Sequence, residues 1–397
     1  MPAQTPYFKL LPVALFILNL SSCATKPITT SPLPFDAAVK ILANDLLSQV
    51  EKKTMLKLPI AKVGVMDDFT DEDTGEFVSA SEAIEKMILT EAETNFSRFS
   101  ISKMNKDNIR TADFLLNGII SLEKYDPASD GKNYHLVASV TDLKTGEVIA
   151  NSATWISDKN LDYSPMREYK EAPMYMIDKR HKSKVKTARS LSGIQADVEY
   201  YKTLETNALL AEAANAYEKA DYPLVITMLK EVSNRPDGQV MKTYAMLYQA
   251  YFKEGKGPAA EEAFGKLVEL SVQNNSLSVK LLFGVNSTEF IADKELKARY
   301  QLWIRQISKY FNADEHCVKI IGHSSHTGSE GYNVHLSKAR ADAVQRQMVA
   351  QYQAIKRKTV TQGMGFKYNI KGLGTDDGRD AIDRRVEFVV TECADLS

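Results

Sequence analysis

A repeat limits what this chain can fold into more than any other feature. Two segments, ANAYEKADYPLVITMLKEV (214–232) and YQAYFKEGKGPAAEEAFGKLVEL (248–270), superpose on one another. Tyr217 aligns with Tyr251 at an offset of 34, and Val225 with Ala260 and Leu229 with Phe264 at 35. Small and aromatic residues recur at helical spacing in both, the pattern of helix–turn–helix units that bury one another by stacking. Two units are fewer than usually stand alone, so this segment (201–274) is expected to pack on a neighbour.

On the N-terminal side, residues 35–158 read as a small α/β domain. Val39, Leu42, Leu46, Leu47 and Val50 have helical spacing, and KVGVMDDF (62–69) is a short apolar run ending in acids, as in a buried strand. Residues 80–95 are helical again, FSISKM (99–104) alternates, and ADFLLNGIISLE (112–123) is strand-like through a glycine. Residues 134–157 form two runs around Lys144, Thr145 and Gly146, a hairpin signal. The acids Asp67, Asp68, Asp71, Glu72 and Asp73 are read as a solvated turn rather than a metal site. Residues 159–200 have no sustained period and are read as a linker. Its basic run DKRHKSKVK (178–186) is taken as solvated, with contact to anionic glycan or lipid as the alternative.

Composition sets the outer bounds. With 397 residues, 44% hydrophobic and 25% charged, the chain is long enough for two or three domains. A formal net charge of −1 gives no support to nucleic-acid binding. The mean hydropathy of −0.28 excludes a multi-span membrane protein. The fold class expected is multidomain α/β and α. The helical segment resembles tetratricopeptide repeats. The N-terminal domain, with ADFLLNG followed by the VTDLKTGEVI hairpin, resembles lipoproteins related to the curli-secretion channel and to penicillin-binding-protein activators. That resemblance implies assembly or scaffold roles, not catalysis.

The first 22 residues read as a signal peptide: Lys9 supplies a thin positive region and residues 10–20 are apolar but too short to span a bilayer. Leu20-Ser21-Ser22-Cys23 then resembles a bacterial lipobox, which implies cleavage before Cys23 and acylation of its thiol. Two or three acyl chains anchor stably, at about 0.8 kcal/mol per buried CH₂. Ala24 is not the aspartate that retains enterobacterial lipoproteins in the inner membrane, so the resemblance implies the outer membrane, facing the periplasm. Residues 23–34, rich in Pro, Thr and Ser, read as a tether reaching at most ~35 Å.

Residues 277–392 carry four landmarks: FGVNSTEF (283–290), the loop and helix GHSSHTG…N..LS..RA from 322, GMG (363–365) and DRRVEF (383–388). Together they resemble the OmpA-like domain, which implies a βαβαββ sandwich that binds peptidoglycan non-covalently. In that family an aspartate on the loop takes the ammonium of a stem-peptide diaminopimelate, and an arginine on the following helix takes its carboxylate. Arginine suits the task because its planar fork donates two charge-assisted hydrogen bonds at once. The resemblance places Arg340 in the arginine's position and Ser325 where the aspartate should be. Thr327, Gly328, Asn333, Leu336, Asp383 and Arg384 complete the implied peptidoglycan site. A serine supplies no charge, which leaves three readings open. Another acid approaches from TDDGRDAID (375–383), with Asp376, Asp377, Asp380 or Asp383 in the role; the site binds differently or more weakly; or the fold is kept for protein contacts.

Four of the six histidines (His316, His323, His326, His335) lie in or near this loop, but with no third ligand at a recognised spacing they read as polar loop residues. No P-loop, HExxH or GxSxG is present, so neither catalysis nor a cofactor or metal is expected. Cys317 and Cys393 are an even pair in an exported chain and suggest a disulfide, two separate thiols being the alternative. The partners expected are the peptidoglycan stem peptide, outer-membrane lipid through the acyl anchor, and a protein on the helical repeats. The alternative function is a scaffold or activator subunit of an envelope secretion or wall-synthesis assembly. Cys23→Ala should abolish incorporation of labelled palmitate and leave an uncleaved or soluble form. A wild-type chain that takes up no label would refute the anchor.

Overall fold

The computed structural model describes residues 31–54, 61–128, 131–283, 287–290, 293–370, 374 and 383–396. The signal peptide, Cys23 and most of the tether lie outside them.

Helix α1 (Phe35–Thr54) opens with Asp36 and closes with Lys52 and Lys53, charges that match the helix dipole. Its stripe of Leu42, Leu46, Leu47 and Val50 is fully buried. Strands β1 (Lys62–Met66) and β2 (Thr70–Asp71), helix α2 (Ser79–Asn95) and strands β3 (Phe99–Lys103), β4 (Phe114–Glu123), β5 (Asn133–Asp142) and β6 (Val148–Ile156) complete this part. One sheet runs β3-β1-β4-β5-β6, with β2 beside β4; β1 is parallel to β3 and β4, and β4-β5-β6 is an antiparallel meander. Central β4 is buried at every position but Glu123, the signature of a strand covered on both faces. Edge β6 alternates buried and half-buried residues. Helices α1 and α2 cover one face of the sheet.

The other face corrects the linker reading of 159–200. That segment holds α3 (Arg167–Glu171), α4 (Lys179–Ala188) and α5 (Val198–Lys202), and α4 packs on β4 and β5. His181, Ser183 and Lys184 of the supposedly solvated basic run are buried, as is Thr187 just after it. The reason is polar: Asn117 donates to the Lys184 carbonyl (3.1 Å), Ser139 to the Thr187 carbonyl (2.9 Å), and Lys184 pairs with Asp67 (3.2 Å). The acidic turn is corrected by the same contacts. Asp67 is buried and accepts from the Tyr200 hydroxyl at 2.7 Å, and fully buried Asp71 accepts from Thr74 N at 2.9 Å and from Tyr163 at 2.5 Å. The tether also ends sooner than expected, because Leu33 pairs with the backbone of Trp155 and Ser157.

Helices α6 (Leu204–Glu218), α7 (Tyr222–Ser233), α8 (Met241–Lys253) and α9 (Gly257–Gln273) pack consecutively. The repeat-matched Tyr217, Val225, Leu229, Ala260 and Phe264 are fully buried, and Tyr251 is half-buried. Their neighbour is the last part of the chain, whose order is β7 (Ser278–Val279), α10 (Lys294–Ala313), β8 (Cys317–Gly322), α11 (Glu330–Gln351), β9 (Thr359–Gly363) and β10 (Val386–Thr391). This is βαβαββ, in a sheet ordered β7-β10-β8-β9 with only β8 and β9 parallel. The expected multidomain α/β and α class is therefore what the structure has. Strand β7 is short, and beyond it, among the described residues, an isolated bridge joins Phe283 to Phe290. Tyr300, Trp303, Ile307 and Phe311 form the buried face of α10. Trp303 stacks on Phe264 at 6.0 Å between centroids and donates from Nε1 to the Tyr248 hydroxyl at 2.6 Å.

Cys317 opens β8, antiparallel to β10, and Cys393 lies just beyond the end of β10. The two form a disulfide with Cα atoms 4.9 Å apart. The bond closes a loop of sequence separation 76, which on the chain-entropy model stabilises by about 4 kcal/mol. The chain has two tryptophans, so Trp303 fluorescence in a Trp155→Phe background reports this half alone. Cys317→Ala with Cys393→Ala should lower its urea midpoint by an amount worth about 2–4 kcal/mol. An unchanged midpoint would show that the bond does not constrain the domain.

Candidate functional site

Loop 323–329 and the first turns of α11 hold the residues singled out by sequence. Gly322 ends β8 because α11 crosses it closely: a Cβ there would meet the Ser337 carbonyl oxygen at 2.0 Å. The loop then leaves the sheet, tied by His323 N to the Arg385 carbonyl (3.0 Å) and by Ser324 N to the Gly365 carbonyl (2.9 Å). Gly328 turns it in the left-handed region with φ +93°, and the Ser329 side chain caps α11 by accepting from Tyr332 N.

Asn333, Ser337 and Arg340 follow at helical spacing on the inward face of α11, and all three are buried. Asn333 Nδ2 donates to the carbonyls of Thr327 (2.7 Å) and Ser329 (3.1 Å), fixing the loop to the helix. Ser337 Oγ accepts from Gly365 N at 2.9 Å, which brings the GMG segment to the same place. Ser325 is buried with Oγ 3.4 Å from Thr327 Oγ1, a weak contact at most, and Thr327 itself is exposed. Leu336 is half-buried. Arg340 is 4% exposed; its Nε donates to the Ser287 carbonyl at 3.2 Å and its guanidinium lies 5.1 Å from the centre of the Phe283 ring. Asp342, two residues further along α11, is held by Lys338 at 2.8 Å and by Thr361.

The acids proposed to replace the missing aspartate separate into two groups. Asp376, Asp377 and Asp380 lie outside the described residues. Asp383 is fully buried, accepts from Ile370 N at 2.6 Å and lies 4.0 Å from Arg385. Its carboxylate is thus already engaged in the fold, while Arg384 beside it is half-buried.

Sequence reasoning missed the support behind the loop. Arg385 Nε pairs with Glu387 at 2.6 Å and Nη2 donates to the Tyr368 carbonyl at 3.2 Å. Glu387 also faces His323, whose Nε2 is 3.5 Å away. Burial works to raise the Glu387 carboxyl, but His323 and Arg385 more than reverse it and hold it down at about 2. Arg385 and Glu387 lie within the quoted DRRVEF, and Phe283 and Ser287 within FGVNSTEF, so the landmarks contained the signal without giving its geometry. Neither ring nitrogen of buried His323 forms a hydrogen bond of normal geometry, and no group of three ligating side chains forms a metal site among the described residues. No helix among them is long and apolar enough to cross a membrane.

Residues 282–383 match the OmpA family model. No curated protein matches the chain. Among solved structures, the peptidoglycan-associated lipoprotein of Burkholderia pseudomallei is 22% identical over 28% of this chain and 88% of its own, with a TM-score of 0.25. The cell wall anchor of the type VI secretion system from Pseudomonas aeruginosa is 22% identical over 28% of this chain and 75% of its own, with a TM-score of 0.23. The LpoB C-terminal domain from Salmonella enterica is 14% identical over 32% of this chain and 100% of its own, with a TM-score of 0.22.

The depressed Glu387 carboxyl makes a pH prediction. A carboxylate whose folded pKa lies below its usual 4.5 stabilises the fold above that value, and the contribution is lost as pH falls through about 2. Glu387→Gln should therefore cost about 1–3 kcal/mol at neutral pH, allowing for partial exposure, and the gap to wild type should close between pH 4 and 2. Urea unfolding read by Trp303 across that range tests it; a gap independent of pH would refute it.

Proposed function

We propose, with the OmpA-family match of residues 282–383 as premise, that this chain is a lipoprotein of the outer membrane that binds peptidoglycan non-covalently from the periplasmic side. The observation that carries the reading is the inward face of α11. Asn333 locks the ligand loop, Ser337 locks the GMG segment, and Arg340 presents a guanidinium positioned by Ser287 and Phe283. A positioned guanidinium is the group that takes a stem-peptide carboxylate through paired charge-assisted hydrogen bonds. Ser325, Thr327, Gly328 and Leu336 shape the loop side, with Asp383 and Arg384 behind it. Cys23 carries the acyl anchor, and the task is binding rather than catalysis.

A second reading is favoured by one specific observation. Ser325 offers a neutral hydroxyl where the family's mechanism needs an acid, and a neutral hydrogen bond is roughly half as strong as a charge-assisted one. In that reading the chain is a scaffold of an envelope assembly. Helices α6–α9, whose period resembles tetratricopeptide repeats, and the N-terminal α/β part then supply the docking surfaces.

Sedimentation with purified sacculi separates the two. Arg340→Ala should abolish retention if the guanidinium holds the stem peptide. Ser325→Asp should tighten binding about five- to thirty-fold, equivalent to ~1–2 kcal/mol, by restoring an acid for the ammonium. If another acid already fills that role, two carboxylates crowd one cation and the gain disappears. Unchanged retention in both variants would refute the wall site and leave the scaffold.

A further inference from the structure

The N-terminal sheet treats its two edges, β6 and β3, differently. Along β6 other parts of the chain block the edge. Leu33 N donates to the Trp155 carbonyl (2.9 Å), and the Leu33 carbonyl accepts from Ser157 N (2.7 Å). The Gln49 side chain donates to the Asn151 carbonyl (2.9 Å) and accepts from Asn151 N (3.3 Å). Ser192 Oγ donates to the Ile149 carbonyl (3.1 Å), and Val148 bonds to Gly193 and Ile194 at 2.8 Å each.

Edge β3 has no such cover. The Arg98 carbonyl accepts from Lys62 N (2.9 Å) and Met104 N donates to the Met66 carbonyl (2.9 Å). The even-numbered residues therefore turn their main chain to parallel β1, and Phe99, Ile101 and Lys103 turn theirs outward. Some of these outward groups are taken within the chain: Phe99 N donates to the Phe96 carbonyl (2.8 Å), and the Lys103 carbonyl accepts from Asn108 Nδ2 (2.8 Å). The Phe99 carbonyl, both groups of Ile101 and the Lys103 N–H form no hydrogen bond among the described residues. Such a row is a template for a further strand.

What is taken and what is left identify that strand. With a second β3 laid antiparallel and Ile101 opposite Ile101, Phe99 faces Lys103 of the other copy. Each Ile101 N–H then meets an Ile101 carbonyl, and each Lys103 N–H meets a Phe99 carbonyl. The groups already used, the Phe99 N–H and the Lys103 carbonyl, are the ones that face each other. Every free donor thus finds a free acceptor, whereas an unrelated strand would turn a donor and an acceptor towards occupied groups. The side chains agree. Exposed Ser100 lies opposite exposed Ser102, and half-buried Ile101 lies against its equivalent, pairs that suit a ladder. Lys103, the one charge on the strand, is turned to Glu85 at 2.6 Å and lies over the Phe77 ring. Beside it the outer flank of α2, with Glu82, Lys86 and Glu93, borders a groove.

We propose that two copies of this chain join through β3, antiparallel about Ile101, into one continuous sheet. A strand of five residues buries little surface, so the dimer is a weak one.

The test is disulfide trapping in the full chain, in detergent at about 0.1 mM, a concentration suited to a weak dimer. Ser100→Cys and Ser102→Cys chains carry different tags and are oxidised mildly, each alone and then mixed. Residues opposed in a non-hydrogen-bonded pair have Cα atoms about 4.5 Å apart, within disulfide reach, whereas the diagonal pairs that each variant offers alone lie about 7–8 Å apart. The mixture should therefore yield the linked heterodimer at least about tenfold above the homodimer of either variant. Ile101→Pro in both chains removes the outward donor and leaves the β1 ladder intact, a change that sheet edges allow. It should lower the yield about tenfold while the melting temperature is kept. Should Ile101→Pro fail to fold, the register comparison decides, since it alters exposed serines alone. No heterodimer in the mixture, equal yields in all three samples, or an undiminished yield in folded Ile101→Pro would each overturn the proposal and leave β3 an edge paired with water.

Discussion

The structure hangs on one buried cation. Lys280, just past β7, pairs with Glu76 at 2.5 Å, donates to the Tyr169 carbonyl at 2.7 Å and lies 4.5 Å from the centre of the Tyr175 ring. Its side chain is only 14% exposed. An ammonium taken out of water costs several kcal/mol unless it is paired and hydrogen-bonded, so it persists only while all three partners stay in place. Those partners lie in the loop after β2, in helix α3 and in the stretch behind it, while Lys280 itself follows the first strand of the last domain. Beside it Met174 bridges the backbone of Val279, so the contact is made in main chain as well as side chain. One ammonium thus obliges the N-terminal sheet, the segment once read as linker and the C-terminal sheet to pack together.

The helical segment is bound into the same arrangement by different physics. The stack of Phe264 on Trp303 and the bond from Trp303 to Tyr248 join α8 and α9 to α10, with Gln306 donating to Glu261 at 3.0 Å on the rim. Large aromatic surfaces of this kind bury area and set orientation together. One contiguous apolar cluster accordingly runs from Leu209 in α6 to Phe388 in β10. Two helical hairpins too few to stand alone have thereby gained the missing layer from α10. Helix α11 packs on that same α10, so the candidate site rests on a scaffold braced outside its own domain.

What was legible in the sequence was what periodicity encodes. The buried stripe of α1 and the β5–β6 hairpin are local apolar patterns, and the structure places them as read. Helix α4 was not legible because KRHKSKVKTA has no apolar stripe. It is held by Asn117, Ser139 and Asp67, far away along the chain, and single-sequence patterns are blind to polar contacts of that range. Asp67 and Asp71 were misread for the same reason: runs of acids are usually solvated, and nothing local announces Tyr200 or Tyr163 as partners. In the site, Asn333, Ser337 and Arg340 lie on one helix and follow its period. The Arg385–Glu387–His323 contacts join neighbouring strands β10 and β8, and only the sheet register brings them together.

That register bears on the substitution at Ser325. The loop 323–329 carries no acidic side chain, and the acid nearest to it in the sheet, Glu387, is committed to Arg385 and stays ionised far below neutral pH. Glu387 therefore stiffens the floor of the loop, and reaching a ligand would mean abandoning Arg385, a buried guanidinium that would then lose its ion pair. Asp383 is constrained likewise by the Ile370 amide and its own burial. In the proposed reading Arg340 on α11 supplies the carboxylate half of the clamp, while Asp383 and Glu387 are held in the fold. On that reading recognition leans on the carboxylate of the ligand and on the shape of the loop held by Asn333.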